Sequence, residues 1–440
     1  MTASIAIPRL LVGAASSGSG KTTLTLGLLR ALTRRGRRVA PFKCGPDYID
    51  PHYHRLAAGR ESINLDRFLA SDDHLRSLFG RYAAEADIAV AEGVMGLWDG
   101  YDADEGSSAS VARLLEMPVI LIADARSTAY SVAPLLYGFR TYGRRNGPDG
   151  GPRIAGVIFN RVASGNHYAQ LRRAALDAGV EPLGYLPRDG RFAVPSRHLG
   201  LSLDHLEEFS PVVDAVADAI EAHVDLDRLE ALAAACPEVA FAETARESET
   251  KGWRIAVARD EAFNFIYRAN LDRLGELGHV TCFSPVRGDT LPDCDLLYLP
   301  GGYPECFARE LEAAGRLRRD IAAYAEAGGR IVAECGGMIY LTQGLRTESG
   351  ERRAMCGVLP LEASMQPMRL RLGYREVHLD GKVIRGHEFH YSHTEGALPS
   401  AARQFDARGR EVATPLYRYK NVLAGYTHLY WGAANPLDWF

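Results

Sequence analysis

The chain has 440 residues, 47% of them hydrophobic and 24% charged, with 51 Lys and Arg against 55 Asp and Glu for a formal net charge of −4. That length exceeds one ordinary core and suits two or three domains, and the composition excludes a disordered or low-complexity protein. The charge balance argues against sequence-independent nucleic-acid binding. No window approaches the roughly twenty apolar residues of a membrane span, and the N-terminus lacks a signal-peptide pattern.

In chain order, short apolar strands alternate with amphipathic helical stretches, the pattern of an α/β fold with a doubly wound, mainly parallel sheet. Strands are expected at 9–12, 39–42, 87–91, 118–123 and 154–159, and helices at 22–34 and 107–115. The Gly- and Pro-rich stretch 144–153 reads as a loop. Arg34, Arg35, Arg37 and Arg38 follow the first helix and are expected on a solvated face. Residues 241–252 are polar and short of apolar anchors, which marks a linker between domains at 1–240 and 253–440. Beyond it a second α/β pattern begins, with strands expected at 254–258, 295–299 and 330–333 and one helix over 307–327. The seven cysteines lack metal-like spacing and fit free thiols in a reducing cytoplasm.

The first strand runs into Gly13, Ala14, Ala15, Ser16, Ser17, Gly18, Ser19, Gly20, Lys21, Thr22 and Thr23, and then a helix. Glycines let backbone N–H groups cradle phosphates, and a helix N-terminus adds positive potential. Lys21 is placed to reach the β- and γ-phosphates, and the Thr22 hydroxyl to ligate Mg²⁺. The usual glycine six residues before the lysine is Ala15, so the loop is a variant whose leading glycine is Gly13. Acids follow the next strands: Asp47 and Asp50 after Lys43, then Glu92 and Asp99. Ends of parallel strands share an edge, so Asp47 and Glu92 are expected as Mg²⁺ ligands, with Asp50 and Asp99 beside a reacting carboxylate.

In the second half Cys335 sits between a strand and a helix, on a turn that exposes a nucleophile and stabilises its thiolate. The N–H of Gly336, and that of Gly302 in the Gly301-Gly302 pair, are candidates for an oxyanion hole. His428 is the expected general base, with His387 and His390 as rivals. Residues 387–390 do not have metalloprotease zinc-site spacing.

With these residues assembled, the chain resembles the cobyrinate (or hydrogenobyrinate) a,c-diamide synthases of corrinoid biosynthesis over nearly its full length. The Ser-rich P-loop, residues 43–51, 92–99, 197–201 and 300–305, and the Cys335 turn carry the likeness. The N-terminal domain is similar to dethiobiotin synthetase, which implies that Lys21, Thr22, Lys43, Asp47 and Glu92 surround ATP–Mg²⁺, with Asn160 against the adenine. The C-terminal domain resembles the flavodoxin-like class I glutamine amidotransferases, which implies a Cys335 nucleophile, a His428 base and a backbone oxyanion hole. Two departures stand out: Ala333 replaces the first glycine of Gly-x-Cys-x-Gly, and Tyr430 replaces the acid that follows the histidine, leaving a Cys–His dyad.

The resemblance implies ATP- and glutamine-dependent amidation of the a and c acetate side chains of a corrinoid through acyl phosphates; charge, hydropathy and cysteine usage add the expectation of no nucleic-acid or membrane partner and of the cytoplasm. A homodimer is left open. Two alternatives stand beside it, a cobyric acid synthase acting on other corrin carboxylates and a non-catalytic P-loop switch protein. The latter gives Cys335, His428 and the glycine pair no purpose.

Overall fold

The computed structural model describes residues 2–145, 151–192, 203–242 and 252–440. Residues 197–201, most of the expected linker and part of the loop at 144–153 lie outside them. The chain forms two compact units, the first ending with the strand at Val239–Ala242 and the second opening at Trp253–Ala258, with Phe68–Ala70 grouped in the second.

In the first unit, β1 (Thr2–Ile5) leads to β2 (Arg9–Ala14), α1 (Lys21–Arg34), β3 (Val39–Cys44), α2 (Asp50–Ala58), β4 (Ile63–Leu65), α3 (Asp72–Ala83), β5 (Ile88–Glu92) and α4 (Ser108–Leu114). Then come β6 (Val119–Asp124), α5 (Val132–Arg145), β7 (Ile154–Val162), α6 (Gly165–Asp177), β8 (Pro182–Pro187), α7 (Ser210–His223), α8 (Leu226–Ala234) and β9 (Val239–Ala242). Seven strands form one parallel sheet in the order β4-β3-β5-β2-β6-β7-β8. Every residue of β2, β3 and β5 is buried, as expected for strands covered on both faces. Strand order reverses at β2, so the crevice beyond its carboxyl end opens at the P-loop, the position where such sheets bind ligands. β9 pairs antiparallel with β1, so Phe241 and Ala242, read as the head of the linker, close a strand. The arginines after α1 are ion-paired rather than merely solvated: Arg34 meets Asp214 and Asp218, Arg35 meets Asp227, Arg37 meets Glu230 and Arg38 meets Asp87.

In the second unit, β10 (Trp253–Ala258), α9 (Arg268–Leu277), β11 (Gly278–Phe283), β12 (Leu296–Leu299), α10 (Ala308–Ala313), α11 (Gly315–Glu326), β13 (Arg330–Glu334) and α12 (Gly336–Leu341) follow one another. The single helix expected over 307–327 is thus two, broken at Ala314 (ψ 46°) before Gly315, the weakest helix former in the stretch. Eleven strands follow, β14 (Gly344–Arg346), β15 (Arg352–Ala354), β16 (Glu362–Ser364), β17 (Arg371–Leu379), β18 (Lys382–His390), β19 (His393–Glu395), β20 (Arg403–Phe405), β21 (Glu411–Val412), β22 (Leu416–Tyr419), β23 (Val422–Gly425) and β24 (Thr427–Leu429), and then a short 3-10 helix at Pro436–Trp439. The main sheet has the order β11-β10-β12-β13-β23-β22, parallel except for β22 at its edge. An antiparallel sheet, β21-β20-β17-β18-β24, carries His387, His390 and His428.

Candidate active sites

The loop between β2 and α1 is held by its own polar groups. Ser19 Oγ donates to Ser16 O at 2.9 Å, and Lys21 Nζ donates to Ser16 O at 3.3 Å and to Met95 O. Asn160, at the end of β7, donates from Nδ2 to Ser19 O at 2.9 Å, and Arg161 reaches Gly18 O at 3.0 Å and Asp124 at 2.6 Å. Gly20 has φ 93°, and a Cβ there would stand 2.0 Å from Asn160 Nδ2, so only glycine allows this approach. Gly13, read as the loop's leading glycine, lies inside β2, where a Cβ would press on Leu97 at 2.9 Å; it packs rather than cradles.

Asp47 and Asp50 after β3, and Glu92 at the end of β5, converge on Lys43. Its Nζ lies 2.5 Å from Asp50 Oδ2, 2.9 Å from Glu92 Oε1 and 4.0 Å from Asp47 Oδ2. Thr22 Oγ1 donates to Glu92 Oε1 at 2.7 Å. Burial works against charge here, yet Asp50, Glu92 and Asp47 hold the Lys43 ammonium above the ordinary lysine range. Burial likewise opposes the Glu92 carboxylate, but Lys43 and His54 keep it well below the ordinary carboxyl range. Three carboxylates around one ammonium leave formal negative charge in excess, and Thr22 and Glu92 offer hard oxygen ligands. Among the described residues no group of three or more His, Cys, Asp or Glu forms a metal cage. Mg²⁺ asks for none: it takes one or two carboxylates and completes its shell with water and phosphate, so these residues fit it. Asp47 also caps the following turn, its Oδ1 accepting from Ile49 N and Asp50 N. Asp99 does not join the cluster; its Oδ2 accepts from Gly96 N at 2.8 Å, within the loop that lies along the P-loop through Leu97 N and Ala14 O.

His54 was not anticipated from the sequence. Fully buried, it bridges Glu92 Oε2 at 2.8 Å and Ser62 Oγ at 2.9 Å. The signal was present, since His54 follows Asp50 by four residues and so shares its helix face on α2.

In the second unit Cys335 caps α12 with φ 46° and ψ −104°, a strained turn for a residue with a side chain. Its N–H donates to Gly425 O at 2.7 Å. A Cβ on Gly336 would come within 3.1 Å of Gly302 N, and one on Gly301 would come within 2.1 Å of His428 Cε1. The glycine pair after β12 therefore touches both the turn at Cys335 and the imidazole of His428. Both backbones can approach so closely only without side chains.

Two expectations for this centre are corrected. Cys335 is buried, 4% exposed, not presented to solvent. Burial first, then Glu305, Glu388 and Glu334, push its thiol far up, so it is a neutral thiol; a helix of six residues does not offset that desolvation. His428 is lowered to about 3, by burial and then by His387 and His390, and is a neutral imidazole. Of the rival histidines, His390 is committed to Glu388 Oε1 and Ser392 O, both at 2.7 Å, and stacks on Tyr426 at 3.6 Å. His387 pairs with His428 across β18 and β24. Glu334, Tyr298 and Trp431, none of them anticipated, form a buried hydrogen-bonded group beside Cys335.

Two family models match the chain: a CobQ/CobB/MinD/ParA nucleotide binding domain over residues 10–201 and a CobB/CobQ-like glutamine amidotransferase domain over 254–436. Among curated relatives, the cobyrinate a,c-diamide synthase of Syntrophotalea carbinolica is 42% identical, over 98% of this chain and 96% of its own length. That of Caldanaerobacter subterraneus subsp. tengcongensis is 39% identical over 95% of this chain and 94% of its own. The hydrogenobyrinate a,c-diamide synthase of Brucella abortus is 41% identical over 95% and 97%. The chain therefore belongs to the cobyrinate and hydrogenobyrinate a,c-diamide synthase family.

Proposed function

We propose that this chain amidates the a and c acetate side chains of cobyrinate or hydrogenobyrinate, using ATP and glutamine and releasing ADP, phosphate and glutamate. The first unit, through Ala242 at the end of β9, is the carboxylate-activating domain, and the second, from Trp253, is the glutaminase domain. The observation that carries this reading is the pairing of a P-loop beside an acid-and-lysine cluster with a cysteine turn whose neighbouring glycines also touch a histidine.

In the glutaminase domain the Cys335 sulfur attacks the side-chain amide carbon of glutamine, and the thiol proton passes to His428. The N–H groups of Gly302 and Gly336 hold the oxyanion. His428 returns the proton to the departing nitrogen, ammonia leaves, and water hydrolyses the thioester. A neutral thiol and a neutral imidazole are the correct starting forms for that transfer.

In the first domain a substrate carboxylate oxygen attacks the γ-phosphorus of ATP and ADP departs. Lys21 and Lys43, with the P-loop residues Gly18, Ser19, Gly20 and Thr23, hold the phosphates and spread the developing charge. Thr22, Asp47 and Glu92 would hold Mg²⁺, which supplies charge neutralisation on the phosphates. Asn160 faces the adenine, and Asp50 and Asp99 lie toward the acetate. Ammonia then displaces phosphate from the acyl phosphate. Catalysis of this kind belongs to the cytoplasm, where ATP and glutamine are supplied.

The test is to incubate purified protein with each ring acid, ATP, Mg²⁺ and glutamine, and to count amides by mass and position. Two amides on the a and c side chains are expected. Amides on other carboxylates would assign the chain to cobyric acid synthase chemistry, and ATP turnover with no amide would favour a switch protein.

A further inference from the structure

β13 ends at Glu334, and Cys335 follows it. The ladder between β13 and β23 stops at Glu334 opposite Gly425. Past that point the chain turns away, and β24, which bears His428, pairs with β18 instead. No backbone ladder therefore ties the strand of the histidine to the strand of the cysteine. A side chain does so. Glu334, 2% exposed, accepts at Oε1 from the Leu429 N–H and from Trp431 Nε1, each at 3.1 Å, and at Oε2 from Tyr298 Oη at 2.8 Å. Leu429 is the residue after His428, and Trp431 lies two further on. Asn270 holds the same stretch from α9, donating to Leu429 O at 2.8 Å and accepting from Trp431 N at 2.7 Å, and its side chain also bonds that of Tyr298, the partner of Glu334 Oε2.

We propose that Glu334 is a positioning residue of the glutaminase centre, fixing the placement of His428 relative to Cys335. This rests on the reading of those two residues as base and nucleophile. Glu334 does not meet glutamine: the internal space beside it, lined by Val332, Thr427, Leu429 and Trp439 among others, measures about 10 Å³, room for one water at most. Its role is also independent of its charge. Oε1 accepts two N–H groups whether or not the acid is protonated, and burial pushes the carboxyl up to about 8, so that it is neutral at neutral pH. An amide oxygen would accept the same two bonds, and the amide nitrogen would donate to Tyr298 Oη. Leucine would fill the volume and leave three buried donors without an acceptor.

The experiment compares Glu334→Leu and Glu334→Gln with the parent protein in amidation driven by glutamine and by ammonium salt. For Glu334→Leu, glutamine-driven kcat falls about 100-fold while the KM for glutamine moves less than about threefold, as expected when reacting groups are misplaced and substrate contacts are kept. Ammonium-driven synthesis in the same preparation is unchanged. Glu334→Gln recovers most of kcat. Parent-like kcat in Glu334→Leu, a raised KM at unchanged kcat, or a Glu334→Gln variant as impaired as the leucine variant would each overturn the proposal. Cys335→Ala is assayed beside them: if it still uses glutamine, the nucleophile assignment has failed and not the role of Glu334.

Discussion

At the scale of single residues, the two sites handle charge in opposite ways. Around Lys43, buried charges are kept and matched. Removing one carboxylate charge at constant shape unbalances the cluster, so Glu92→Gln should lower both glutamine- and ammonium-driven synthesis by at least about 100-fold. Full activity in that variant would remove Glu92 from the nucleotide site. Around Cys335, burial instead keeps charge away. The free protein should therefore alkylate slowly at Cys335 with iodoacetamide at neutral pH, and the exposed Cys282 should react first in a peptide-resolved time course. Fast labelling at Cys335 would contradict a neutral buried thiol. The identities of these residues were legible in the sequence, because Lys43, Glu92 and Cys335 each stand at or just past the end of a short apolar run. Their protonation was not, because it depends on burial and on charged groups distant in the chain, such as Glu305 and Glu388 for Cys335.

At the scale of elements, the proposed glutaminase centre is a meeting of three strand ends. β12 delivers Gly301 and Gly302, β13 delivers Cys335, and β24 delivers His428. The tightest approach is that of Gly301 to the imidazole, so Gly301→Ala should displace His428 and lower glutamine-driven kcat by about 100-fold while leaving ammonium-driven synthesis intact. Equal loss with both nitrogen sources would show that the substitution acts elsewhere. The parallel strands of both units were readable as apolar runs bounded by turns. The strand bearing His428 was not: Thr427–Leu429, like Arg403–Phe405 and Glu411–Val412 in the same sheet, is too short for any periodicity to register. Position in that sheet also separates the histidines. His390 is taken by Glu388 and Ser392, and His428 comes to the glycine pair, a distinction that spacing alone leaves open.

At the scale of the whole molecule, the buried carboxyl of Glu334 should leave a mark on stability. Its folded value of about 8 stands above the ordinary 4.5, so the folded state holds more protons than the unfolded state between those values. Stability from this group is then greatest below pH 4.5 and declines as pH rises through 8. Glu334→Gln lacks the titration. Its melting temperature should gain on that of the parent across that window, and parallel melting curves from pH 5 to pH 8 would contradict the burial of an acid there. The two units, their parallel sheets and the position of the P-loop and of the Cys335 turn followed from motifs placed at strand ends. What escaped were the partners that hold those residues, His54, Arg161 and Glu334, which are recognisable only once distant segments are brought together. The most direct test of a thiol-based ammonia source serving a separate phosphate-binding centre is one substitution assayed with two nitrogen donors. Cys335→Ala should lose synthesis from glutamine and keep synthesis from ammonium salts near the parent rate; continued use of glutamine by that variant would contradict the account.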